Sequence, residues 1–92
     1  MPRFFLEVSH SADSLGCAKA IQVFLQSGSH YLTNAEWGCH DGDHCGLIIV
    51  EAANKVEATN IIPPAYRSES RVVELSRFSM DEIERTIKQH ET

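Results

Sequence analysis

Leu47-Ile48-Ile49-Val50 is an unbroken apolar run, and it restricts the fold of this chain more than any other segment. A strand with apolar side chains on both faces belongs at the centre of a sheet, flanked on both edges and covered on at least one side. Other segments must supply the neighbours and the cover. Phe4-Phe5-Leu6-Glu7-Val8-Ser9-His10 alternates from Leu6 onward and is rich in aromatic and β-branched residues, so it reads as a strand. Arg71-Val72-Val73-Glu74-Leu75 reads as another, and Ala35-Glu36-Trp37-Gly38-Cys39 as a short one. Ser29 to Asn34, with Tyr31 and Leu32, reads as a polar connector.

The cover comes from segments of helical period. Ser11-Ala12-Asp13-Ser14 offers capping side chains ahead of Leu15, Ala18, Ile21 and Leu25, an apolar face with Phe24 beside it that stops at Gly28. Asn54 with Glu57 has the spacing of a capping box, and Val56, Ala58, Ile61 and Ile62 form the apolar side that follows. Pro63-Pro64 ends that helix near Ile62. Ser79 with Glu82 opens a terminal helix whose apolar side is Met80, Ile83 and Ile87.

The order is strand, helix, strand, strand, helix, strand, then an extra C-terminal helix. Without repeats or a linker, the 92 residues form a single α+β domain, 1–92. Short connections and right-handed crossovers make the ferredoxin-like βαββαβ sandwich the simplest arrangement, with the first and third strands central. Both helices then lie on one face. Phe5, Glu7 and Ser9 point to the other, joined according to register by Glu36, Glu74 and Glu51. That open face is either solvated or packed against a second subunit's sheet through Phe5 and Ile49, enclosing Glu7. The thin stability margin of so short a chain favours the homodimer.

Composition excludes several partners. Thirteen acidic against eight basic residues give a formal charge of -5, and the signs are interleaved. No Lys/Arg cluster could neutralise successive phosphates or an anionic bilayer, so neither nucleic acid nor membrane is an expected partner. Met1-Pro2-Arg3 runs straight into a strand pattern without a signal-like apolar segment, and the three cysteines are an odd number. A cytoplasmic protein with reduced thiols is the expectation.

The chemistry concentrates in Gly38-Cys39-His40-Asp41-Gly42-Asp43-His44-Cys45-Gly46, which reads the same in both directions. Imidazole and thiolate are the ligands that zinc, nickel or copper prefer. A three-residue turn at Asp41-Gly42-Asp43 would set His40 opposite His44 and Cys39 opposite Cys45. Those two pairs would point to opposite faces, so the loop alone cannot build a tetrahedral site. The split topology offers another set, because it brings the end of strand one, the start of helix one and this loop to one end of the sheet. His10, Cys17, Cys39 and His44 meet there, with His40 and Cys45 as substitutes. Pro63-Pro64-Ala65-Tyr66-Arg67 reaches the same end, and Arg67 reads either as part of it or as a surface ion-pair partner. Cys17 reads equally as a small core residue.

Phe4 to His10, Cys39-x-x-Gly42-x-His44, Val50-Glu51-Ala52 and Pro63-Pro64 with Arg67 resemble small bacterial ferredoxin-like proteins of uncharacterised function, akin to the dimeric α+β barrel superfamily. The resemblance implies a homodimer closed sheet to sheet. It carries over no catalytic residue, because that superfamily spans cofactor-free monooxygenases, isomerases and metal-binding proteins.

Three functions are open. The first is a metal-binding or metal-responsive protein using His10, Cys17, Cys39 and His44, with zinc or nickel favoured if the histidines pair with carboxylates such as Glu7. The second is a small-molecule enzyme or binder with Glu7 and His40 or His44 as acid/base candidates. The third is an accessory dimer without catalysis. No P-loop, dinucleotide fingerprint or hydrolase motif is present, so no nucleotide cofactor is expected.

Overall fold

The computed structural model describes residues 1–91. Four strands, β1 (Arg3–Ser9), β2 (Glu36–Trp37), β3 (Cys45–Glu51) and β4 (Ser70–Leu75), form one antiparallel sheet in the order β2-β3-β1-β4. The Leu47–Val50 run therefore lies in a central strand, beside β1. In register, Phe5 sits between Ile49 and Val73, and Leu6 between Ile48 and Val72.

Alternation along β1 sorts the two faces. Phe4, Leu6 and Val8 are buried, together with Ile48 and Val50 of β3. The helices α1 (Ser14–Gln26) and α3 (Lys55–Ile61) cover this side, contributing Ala20, Phe24 and Ala58, with Ile62 just beyond α3. The caps follow the chain's own signals. Asp13 accepts from Gly16 N at 2.6 Å, and Asn54 accepts from Glu57 N at 2.9 Å while Glu57 reaches back to Ala53 N.

Several expectations are corrected. The buried stripe of α1 is Ala20 and Phe24 with Cys17 and Ile21 half-buried, whereas Leu15, Ala18 and Leu25 are exposed. The helix is rotated so that Phe24, its largest side chain, packs edge-on against Trp37 and Tyr66 with ring centroids 4.8 and 6.3 Å away. On α3, Val56 is exposed. The connector after α1 contains a one-turn helix, α2 (His30–Thr33), because Ser29 caps it and Leu32 inserts into the core. β2 is only two residues long. Its partners Glu36↔Leu47 and Trp37↔Gly46 are followed by a 3-10 turn at Cys39–Asp41 in place of a regular hairpin.

Glu74 lies opposite Phe4 and so belongs to the helix side of the sheet, exposed because β4 is an edge strand. Arg67 is not among the converging His/Cys side chains, and it makes no ion pair among the described residues. Its guanidinium donates to the carbonyls of Ile62 (2.8 Å) and Asn60 (3.1 Å), satisfying acceptors that the C-terminal end of α3 leaves free.

The C-terminal helix α4 (Met80–Glu91) begins where Ser79 accepts from Glu82 N. Every residue of it is exposed. The molecule is elongated, with dimensions of 56 × 28 × 21 Å. No described helix is long and apolar enough to cross a membrane.

Candidate metal centre

Four chain segments meet at one end of the sheet: the end of β1, the first turn of α1, the 3-10 turn and the residues leading into β3. Each contributes one half-buried side chain, His10, Cys17, Cys39 and His44 respectively. One ligand atom from each lies within 4.8 Å of every other. His10 Nε2 is 3.2 Å from Cys39 Sγ, and His44 Nδ1 is 3.2 Å from Cys17 Sγ. A tetrahedral zinc ion with ~2.0–2.3 Å bonds sets its ligand atoms about 3.3–3.8 Å apart, so the set needs only a small adjustment to enclose one ion.

The backbone explains why these residues converge. His10 N–H donates to His44 O at 3.1 Å, tying together the two segments that carry the imidazoles. Cys17 N–H donates to Asp13 O at 3.0 Å in the first turn of α1, which fixes the thiol at that helix end. The loop bearing Cys39 folds on itself, with Asp41 N and Asp43 N both donating to Gly38 O and Gly38 N donating to Cys45 O. Gly42 closes the 3-10 turn at a φ of +81°, in the left-handed region that a glycine occupies without strain. A Cβ on Gly38 would sit 2.7 Å from Asp43 O, so the loop could not close as tightly around another residue.

The surroundings prepare the imidazole of His10 for a ligand role. Its Nδ1 lies 2.9 Å from Ser11 O, a carbonyl that can only accept, so that nitrogen holds the proton. The Nε2 lone pair is then free and faces Cys39. This is the carbonyl-histidine arrangement that orients metal-ligating imidazoles. Trp37 forms a wall of the site, its ring centroid 5.8 Å from that of His10, and it also packs against Phe24 of the core. Trp37 stands two residues before Cys39, a spacing that lets the thiol pack under the indole, and the ring lies beside His10 as well. Burial pushes the Cys17 thiol above its ordinary range, and the neighbouring Cys39 adds to that rise.

Other candidates fall outside the cluster. His40 is exposed on the 3-10 turn, neither facing His44 across a hairpin nor among the converging atoms. Cys45 is buried beneath the sheet end, its Sγ 3.3 Å from Asp43 Oδ1 and 3.7 Å from Ser9 Oγ. Its thiol is raised chiefly by burial, with the Ser9 hydroxyl opposing and the Asp43 carboxylate adding. Neither residue substitutes for a ligand in this geometry. Glu7 pairs with Arg71 at 3.0 Å on the open face, and the partner of His10 Nδ1 is the Ser11 carbonyl rather than a carboxylate. Glu7 and His40 do not form an acid/base pair.

No protein family, curated protein or solved structure matches this chain.

Proposed function

We propose that this protein binds one zinc ion through His10, Cys17, Cys39 and His44 and that the ion staples four chain segments together. The convergence of four ligand atoms from four segments within 4.8 Å carries this reading. Two sulfurs and two nitrogens in a compact set suit zinc, whereas nickel(II) favours square or tetragonal nitrogen and oxygen sites. All four positions come from protein, leaving no open position for a substrate, so the ion has a structural or sensing role rather than a Lewis-acid one. The ligands are half-buried, which leaves the ion within reach of exchange and lets occupancy report on metal supply. Ferredoxin-like topology underlies this placement, supported by the strand order and by helices packed on one face. The thiolates require a reducing compartment, in keeping with a cytoplasmic protein.

Untagged protein purified under reducing conditions should carry one zinc per chain by elemental analysis. Cobalt substitution should produce the thiolate charge-transfer and tetrahedral d–d bands of an S2N2 site. Cys39→Ala combined with His44→Ala should abolish both signals and leave the far-ultraviolet circular dichroism unchanged. Stoichiometric metal in that double variant, or none in the reduced parent, would refute the assignment.

A further inference from the structure

From a second, metal-independent feature, we infer that α4 docks on the open sheet face of a second copy of this chain, each copy clasping the other. Phe78, Met80, Ile83 and Ile87 are all exposed, and the last three line one side of α4. Met80, Ile83 and Ile87 take no part in the core and are not packed against it among the described residues, so this stripe stands open.

The open face offers a matching surface. Leu47 and Ile49 of β3, Phe5 of β1, and Val73 and Leu75 of β4 form an oblique apolar band across three strands in the observed register. With strands about 4.8 Å apart and residues ~3.4 Å apart along them, the band is about 17 Å long. At ~1.5 Å per residue, the helix from Met80 to Ile87 spans about 10 Å, and Phe78 lengthens the stripe to a similar extent. Glu84 and Glu91 border the stripe on one side, and Arg3, which has no carboxylate within ion-pair distance among the described residues, borders the band.

Area and charge favour this occupant over two stacked sheets. Phe78, Met80, Ile83, Ile87 and Ile49 are exposed, whereas Phe5, Leu47, Val73 and Leu75 are half-buried. At ~100 Å² for each exposed side chain and about half that for each half-buried one, two reciprocal helix–sheet contacts bury about 1,400 Å², within the range of specific interfaces. A twofold exchange uses the same two patches on both copies and closes the assembly. Direct stacking would instead desolvate Glu7, Glu36 and Glu51 of both copies against two arginines each. The narrow helix covers the band and leaves those carboxylates at the rim.

The test uses the full chain with p-benzoylphenylalanine at position 83, mixed one to one as unlabelled and 15N-labelled protein. Irradiation should give light–heavy cross-links from α4 to peptides of β1, β3 or β4. Light scattering of the unmodified protein should give about twice the 10.3-kDa chain mass, and Ile83→Asp with Ile87→Asp should halve it. Because no residue of α4 belongs to the core, those substitutions leave the body folded, as circular dichroism will verify. Cross-links confined to light–light and heavy–heavy pairs would mean docking within one chain. Cross-links between two α4 peptides would mean a helix pair, and a dimer that survives the α4 substitutions would mean stacked sheets. Each of these outcomes, or a monomeric parent, overturns the clasp.

Discussion

α1 and α4 are helices of nearly equal length whose local and tertiary support are reversed. α4 carries every local signal, with Ser79 at its N-terminus, Asp81 and Glu82 in the first turn and Lys88 and His90 in the last. Yet all its residues are exposed. α1 has neither acidic residues in its first turn nor basic ones in its last, and it includes Gly16. It is held instead by Phe24 and Ala20 in the core, and it delivers Cys17 to the His/Cys cluster. Local chemistry decides whether a helix forms, whereas packing decides what it does. In α1 both the core and the candidate site depend on one rotational setting.

The sharpest way to break this contrast is to remove Phe24. Phe24→Ala leaves a cavity bounded by Trp37 and Tyr66 and should cost about 3–5 kcal/mol, a large share of what a domain this size possesses. Urea unfolding measures it, and a loss below 1 kcal/mol would mean that α1 is not held by its core face.

Metal removal tests the other half of α1's role. If zinc binds as proposed, at a free concentration about a thousandfold above the dissociation constant it should contribute ~4 kcal/mol, which corresponds to roughly 15–30 °C in melting temperature. A chelator should abolish that increment in the parent protein and change nothing in the Cys39→Ala, His44→Ala variant. It should also open Cys17 and Cys39 to alkylation, while buried Cys45 reacts slowly in both states. An equal chelator effect in both proteins would place the stabilising ion elsewhere.

The smallest effect belongs to α4. Ile87→Ala, measured at concentrations too low for association, should change stability by no more than ~0.5 kcal/mol, because the side chain touches no core. A larger loss in the isolated chain would show that α4 already packs on its own sheet.

Much of this was legible in the residue order, for reasons of period and capping. The Leu47–Val50 run marked a central strand, the alternation of Leu6 and Val8 marked the covered side of β1, and Asp13, Asn54 and Ser79 marked helix starts. Topology then made it possible to choose His10, Cys17, Cys39 and His44 from five histidines and three cysteines, since parallel first and second strands bring their ends together. Other features depended on competition between distant groups. The rotation of α1 was hidden because Leu15, Ala18, Ile21 and Leu25 make as regular a stripe as the one that is buried, and only contact with Trp37 and Tyr66 favours Phe24. The 3-10 turn was hidden because Asp41-Gly42-Asp43 suits a hairpin equally well, until Asp41 and Asp43 both bond to Gly38 O. The sequence by itself therefore determined which residues could be ligands and at which end of the sheet they lie. Tertiary structure decided which of them face one another, because a side chain's direction depends on helix rotation and turn closure, and both are settled by contacts far along the chain.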